Sequence, residues 1–77
     1  IYVVDPYDEK YKVGDLVILR QSVEWYGITA VQGEICMIIQ VFDLTIEDNF
    51  FNFRIILADG YAIDVWQGEV EKLKNED

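Results

Sequence analysis

Residues 53–66 read FRIILADGYAIDVW, two apolar runs rich in β-branched and aromatic residues on either side of Asp59 and Gly60. An Asp-Gly pair between such runs is a strong hairpin signal, because the type I′ turn needs positive φ at both central residues. We therefore predict a β-hairpin with a two-residue turn, against which the other strands are laid.

A two-residue turn fixes which side chains share a face of the hairpin. One face carries the pairs Ala58–Tyr61, Ile56–Ile63 and Arg54–Val65, and the other carries Leu57–Ala62, Ile55–Asp64 and Phe53–Trp66. We expect the first face to form the core, because the second would bury Asp64 in mid-sheet without an obvious partner. Phe53, Ile55, Leu57 and Trp66 would then form an outer apolar strip, either covered by the N-terminal residues or used as an interface.

Other segments also have strand character. Residues 16–19 (LVIL) follow a turn at residues 12–15, and residues 33–42 alternate in a way that favours Ile35, Met37, Ile39 and Val41 as the core face. Cys36 would then lie on the opposite, mixed face. Residues 70–73 (VEKL) read as a short closing strand after a turn at 67–69. Residues 21–32 read as a polar and aromatic loop. Residues 1–4 are a candidate edge strand, which Asp5-Pro6 would end.

The length of 77 residues indicates a single domain. We divide it into an N-terminal arm (1–10), a barrel (11–73) and a frayed tail (74–77). The apolar runs are far shorter than the ~20 residues of a membrane-spanning helix, and no signal peptide is expected. The single cysteine, Cys36, excludes an internal disulfide and favours a reducing compartment.

The chain is strongly acidic, with fifteen Asp and Glu against six Lys and Arg and a net charge of −9. Non-specific nucleic-acid binding depends on Lys and Arg neutralising phosphates, so it is disfavoured. The acidity either keeps a small apolar domain soluble or attracts a basic partner.

Residues for catalysis are scarce. The chain has no histidine, so neither a Ser-His-Asp nor a Cys-His arrangement can form. Asp43, Glu47 and Asp48 share one loop, but their spacing is not that of a calcium loop. No zinc-ligand spacing and no phosphate-binding glycine loop is present. We predict no enzyme, no cofactor and no metal site, with a small hydrolase-like enzyme as a remote alternative.

The order of turns and strands resembles that of SH3-like barrels, including Tudor-like and KOW-like members. The resemblance rests on residues 12–17 (KVGDLV), 33–35 (GEI), 59–60 (DG) and 70–73 (VEKL). The chain is also similar to small uncharacterised SH3-like proteins of tailed bacteriophages. The resemblance implies an all-β, small, five-stranded, partly open barrel. The motifs with which signalling SH3 domains bind proline-rich ligands are absent, and KOW domains of ribosomal settings are basic whereas this chain is acidic.

Aromatic residues are the sharpest candidates for a site. The predicted partner-binding residues are Trp25, Tyr26, Phe51, Tyr61 and Trp66. The rings either complete a core too small to close with aliphatic residues or form a protein interface. The Tudor-like resemblance adds a third alternative, a cage for a methylated cation.

These observations predict a non-enzymatic protein-interaction or assembly module, able to self-associate through the outer strip of Phe53, Ile55 and Leu57. The alternative is an acidic domain for a basic partner, either a cationic peptide or a DNA-binding protein whose site it occupies by mimicking phosphate charge. No membrane association is predicted. The expected location is the cytoplasm, which would be that of a host cell if the chain derives from a phage.

Overall fold

The structure, a computed structural model, describes residues 2–4, 11–43 and 51–75. These ranges contain no α-helix. The strands are β1 (Tyr2–Val4), β2 (Leu16–Leu19), β3 (Val23–Trp25), β4 (Ile28–Ala30), β5 (Ile35–Val41), β6 (Phe53–Ile56), β7 (Ala62–Val65) and β8 (Val70–Asn75). A single 3₁₀ turn, Gln67–Glu69, separates β7 from β8.

Six strands form one antiparallel sheet in the order β1-β8-β2-β5-β6-β7. The meander β2-β5-β6-β7 follows the chain, and the last strand returns to lie beside β2. This arrangement is compatible with a small SH3-like, partly open barrel, and the predicted all-β fold class is confirmed.

Two boundaries differ from the prediction. Residues 21–32, which we expected to be a loop, contain β3 and β4, which pair as a separate two-stranded ribbon. Strand β8 continues to Asn75 and pairs there with Tyr2 of β1, so residues 74 and 75 are not a frayed tail. Residues 5–10 of the predicted arm, the loop acids Glu47 and Asp48, and residues 76 and 77 lie outside the described residues.

The hairpin exists where it was predicted, but its turn and register differ. Leu57 N–H donates to the Tyr61 carbonyl at 2.7 Å, and Gly60 N–H donates to the Leu57 carbonyl at 3.0 Å. Of these loop residues only Gly60 has positive φ, at +93°. The connection is therefore a three-residue loop with a bulge at glycine rather than a type I′ turn.

The extra loop residue shifts every pair by one position, so that Phe53 lies opposite Val65 and Ile55 lies opposite Ile63. A shift of one residue exchanges the two faces of a strand. Phe53, Ile55 and Leu57 are consequently buried, with at most 4% of each residue exposed. The prediction that Phe53, Ile55 and Leu57 face outward was therefore wrong, whereas Trp66 is exposed as predicted.

Asp64 explains why the prediction failed. The observed register places it opposite Arg54, whose Nε and Nη2 donate to the two Asp64 carboxylate oxygens at 2.8 and 3.3 Å. The partner that Asp64 lacked in the predicted register is thus supplied by the neighbouring strand. Such a bidentate arrangement is the strongest geometry of a carboxylate–guanidinium pair.

The predicted core face of β5 was also wrong. Cys36 and Ile38 are buried. The residues of the expected core face are instead 39–46% exposed: Ile35, Met37, Ile39 and Val41. The register with β2 places Cys36 opposite the fully buried Val17. A bulge between Ile38 and Gln40 then alters the alternation along the strand. Because both faces of β5 are apolar, the alternation could not identify the inner one.

The core lies between the main sheet and the ribbon. Its buried residues are Val17, Leu19, Ala30, Cys36, Ile38, Phe53, Ile55, Leu57, Ile63, Val65 and Val70. Val23, Trp25 and Ile28 of the ribbon pack against this cluster while remaining partly exposed. Each large aliphatic side chain buried in this way contributes about 1.5–3 kcal/mol. The ribbon is therefore part of the barrel's closure and holds its own side chains in fixed positions.

We predict that Gly60→Ala destabilises the protein by about 1 kcal/mol, because alanine is strained at positive φ. Gly68→Ala is the matched control, since a Cβ would meet no atom within 4 Å at either position and Gly68 lacks a positive φ. The control should leave the free energy of urea unfolding unchanged or raise it by about 0.5 kcal/mol. Equal losses for both variants would contradict the bulged turn.

Burial, together with the nearby charges of Glu34 and Asp59, raises the pKa of the Cys36 thiol from 9.0 to about 12. Between pH 9.0 and about pH 12, the thiol is ionised in the unfolded state but keeps its proton in the folded state. The free energy of unfolding therefore falls as the pH rises, by up to about 1.4 kcal/mol per pH unit. Unfolding of the wild type and Cys36→Ala, followed in urea at several alkaline pH values, measures this. If the stability of the two proteins depends on pH in the same way, the raised pKa of Cys36 is disproved as the cause.

Candidate functional site

Four aromatic rings contact one another in sequence, and we name them the aromatic row: Tyr26, Trp25, Phe51 and Trp66. The ring centroids are 4.6 Å apart between Tyr26 and Trp25, 4.8 Å between Trp25 and Phe51, and 5.1 Å between Phe51 and Trp66. The first two contacts are edge-to-face, a preferred geometry of aromatic pairs. Four of the five predicted partner-binding residues thus form one continuous surface.

The row is assembled from three separate parts of the chain. Trp25 ends β3 and Tyr26 follows it in the ribbon turn, whereas Phe51 precedes β6 and Trp66 follows β7. Since Phe53 and Val65 are paired, Phe51 and Trp66 leave the sheet at the same end. The ribbon brings the other two rings to that end.

Hydrogen bonds fix the sheet end of the row. Asn52 N–H donates to the Val65 carbonyl at 3.0 Å, and the Asn52 side-chain oxygen accepts from Gln67 N–H at 2.8 Å. Trp66 N–H donates to the Glu69 carboxylate at 2.8 Å, while Glu69 N–H donates to the Trp66 carbonyl. Sequence reasoning missed Asn52 and Glu69, because their partners are defined only once β6 and β7 are paired.

Tyr26 is the unusual member of the row. It is the only described residue other than glycine with positive φ, at +47°, and Gly27 after it has φ +80°. Positive φ at both central residues is what a type I′ turn requires, and asparagine or glycine normally fills the first position. The residue is 87% exposed, so burial does not offset the strain. Strained residues of this kind cluster at functional sites.

An open depression of about 350 Å³ adjoins the row. It is lined by Tyr26, Gly27, Ile28, Thr29, Asp59 and Tyr61. Tyr61, the fifth predicted partner-binding residue, lies here and not in the row, and it is 59% exposed. Tyr26 belongs to both features and therefore joins them.

The acidic side chains near the depression are distinct from those on the sheet. Three carboxylates are held in ion pairs: Asp15 with Lys72 at 3.3 Å, Asp64 with Arg54, and Glu71 with Arg20 at 3.3 Å.

Glu24, Glu34 and Asp59 form no ion pair within residues 2–4, 11–43 and 51–75. Glu24 lies opposite Thr29 in the ribbon. Asp59, which lines the depression, and Glu24 therefore place negative charge beside it.

The described residues contain neither a candidate metal centre nor a candidate membrane-spanning helix. Among them no three His, Cys, Asp or Glu side chains are grouped so that they could hold a metal ion. No helix in the described ranges has the length and hydropathy to cross a membrane. Comparison with known proteins finds no match to this chain among family models, curated proteins or solved structures.

We predict that Tyr26→Asn changes the free energy of unfolding by no more than about 0.5 kcal/mol. Relief of strain at positive φ, about 1 kcal/mol, offsets the loss of an exposed ring contact of similar size. Trp25→Ala should cost about 2 kcal/mol, because Trp25 is partly buried against the core. Urea unfolding followed by circular dichroism compares the two. If Tyr26→Asn is as costly as Trp25→Ala, Tyr26 is a structural residue.

Proposed function

We propose that this chain is a non-enzymatic protein-interaction module that binds an extended segment of a partner protein along the aromatic row. The observation that carries the proposal is the continuity of four rings from three parts of the chain, with Tyr26 and Trp66 exposed to solvent. Large aromatic side chains are the residues that most often dominate binding energy at protein interfaces.

Completion of the core accounts for only part of the aromatic set. Trp25 packs against the core, and Tyr11 contacts Phe53 with ring centroids 4.7 Å apart. Tyr26, Tyr61 and Trp66 are instead exposed, and none of them belongs to the core cluster or to the partly buried residues packed against it. Exposed rings gain binding energy at a low entropic cost, because each has only two rotatable side-chain bonds. A role in recognition therefore accounts for their exposure.

A cage for a methylated cation has less support. Such a cage presents ring faces around one cation. Here Trp25 meets both Tyr26 and Phe51 edge-to-face, at interplanar angles of 88° and 87°, in a row rather than a box. The arrangement suits an extended segment that crosses several rings.

Mimicry of DNA phosphates has less support as well. Three of the described carboxylates, Asp15, Asp64 and Glu71, are paired with cations on the sheet. These pairs weaken the uniform negative field that phosphate mimicry needs. An acidic surface remains beside the row, and it favours a local cationic contact.

The proposal is tested by selecting a yeast-displayed random dodecapeptide library against the wild type. Both tryptophans of the chain, Trp25 and Trp66, belong to the row. Binding of a selected peptide should therefore shift the tryptophan emission. Tyr26→Asn should weaken binding by at least about fivefold, as expected of an aromatic anchor. Met37→Gln, an exposed apolar residue on β5, is the control and should change affinity by less than about twofold.

Failure to select any peptide, or peptides that bind Tyr26→Asn as tightly as the wild type, would refute the proposal. Light scattering on the same samples measures self-association, which remains a prediction from the sequence. The strip of Phe53, Ile55 and Leu57 is buried, so a dimer would need another surface. A stable dimer that Met37→Gln dissociates would place that surface on β5 and replace peptide binding as the function.

A further inference from the structure

We infer that the depression beside the aromatic row is a subsite for the side chain of an arginine or lysine, so that the partner segment bound by the row is basic. This inference rests on the proposed function and specifies the chemistry of its partner. It assigns a role to Asp59 and Tyr61, which lie outside the row.

The shape of the depression suits a side chain. Its volume of about 350 Å³ is near the lower end of the range for small-molecule sites, and it is open to solvent. Tyr26 lies at its boundary with the row through the 4.6 Å contact with Trp25. A segment lying along the row can therefore place one side chain in the depression without leaving the surface.

The lining groups favour a cation. Tyr26 and Tyr61 present exposed rings, and a cation near a ring face is attracted by the ring's quadrupole. The Asp59 carboxylate uses Oδ1 to accept Tyr61 N–H at 3.1 Å, and within the described ranges Oδ2 accepts no hydrogen bond. A guanidinium or ammonium group could donate to that oxygen while it contacts the rings.

Further negative charge surrounds the site. The charges of Glu34 and Asp59 both raise the pKa of the buried Cys36 thiol, so both carboxylates lie within electrostatic range of that thiol. Glu24 lies on the ribbon opposite Thr29, which lines the depression. None of the three carboxylates has an ion-pair partner in the part of the chain that the structure describes. The net charge of −9 would also steer a basic segment towards the protein.

A free metal ion is a poorer occupant. Calcium takes six to eight oxygen ligands, and magnesium needs near-octahedral coordination. The lining side chains supply one carboxylate, from Asp59, and the neutral hydroxyls of Thr29, Tyr26 and Tyr61. An organic cation, which needs one carboxylate and an aromatic surface, fits the lining better.

The test uses the dodecapeptides selected on the wild type, synthesised with acetylated and amidated ends. Each peptide is compared with a version in which citrulline replaces arginine and glutamine replaces lysine. The protein variant is Asp59→Asn, which removes the charge and keeps an oxygen to accept Tyr61 N–H. Glu71→Gln is the matched control, because it changes the net charge equally but lies in the exposed pair with Arg20.

The selected peptides should be rich in arginine and lysine. Asp59→Asn should weaken their binding by at least about fivefold, because it removes one partner of a hydrogen-bonded charge pair. The control Glu71→Gln should weaken their binding by less than about twofold. The neutral peptides should bind Asp59→Asn and the wild type equally. Higher salt should reduce the difference between Asp59→Asn and the wild type.

Two results would overturn the subsite while leaving the interaction module intact. In the first, the selected peptides bind through the row but lack basic residues, and Asp59→Asn has no effect. In the second, Asp59→Asn and Glu71→Gln weaken binding equally, which indicates general charge attraction. A library that yields no binder to the wild type would refute the module and the subsite together.

Discussion

The register of the β6–β7 hairpin is the constraint on which the rest of the barrel depends. Gly60, at φ +93°, completes a three-residue connection, and this places Arg54 opposite Asp64 on the outer face. Because side chains alternate between the two faces of a strand, Phe53 and Ile55 then lie in the core with Ile63 and Val65. A two-residue turn would have directed Arg54 inward without Asp64 beside it, and an unpaired buried charge costs several kcal/mol.

The same core explains the aromatic row. Closing the sheet requires a covering layer, which the β3–β4 ribbon provides through Val23, Trp25 and Ile28. The ribbon turn at Tyr26 and Gly27, not the Asp-Gly pair of the hairpin, is the two-residue turn with positive φ at both positions. Trp25 therefore serves both the core and the surface, whereas Tyr26 extends the surface at some cost in backbone strain.

Six of the described carboxylates fall into two groups, paired and unpaired. On the sheet, Asp15, Asp64 and Glu71 are neutralised by cations on neighbouring strands or in the same barrel wall. Around the ribbon and the hairpin turn, Glu24, Glu34 and Asp59 are not paired within the described residues. Asp59 lines the depression together with the exposed rings of Tyr26 and Tyr61, so negative charge and aromatic surface lie side by side there. Aromatic contact and charge attraction are available to the same bound segment.

The fold class, the turn at residues 12–15, the strand at 16–19 and the existence of the hairpin could all be predicted from the sequence alone. The sequence also identified Trp25, Tyr26, Phe51 and Trp66, which the structure brings together. These features follow from local turn residues and from runs of apolar residues. Only the tertiary structure decided which faces are buried. Each face of β5 and of β6 carries large apolar side chains, so alternation alone does not identify the buried face. The choice depends on cross-strand partners such as Val17 for Cys36 and Arg54 for Asp64, and on a bulge in β5 and another at Gly60. Pairing and bulges are properties of two strands at once, which no single stretch of sequence specifies.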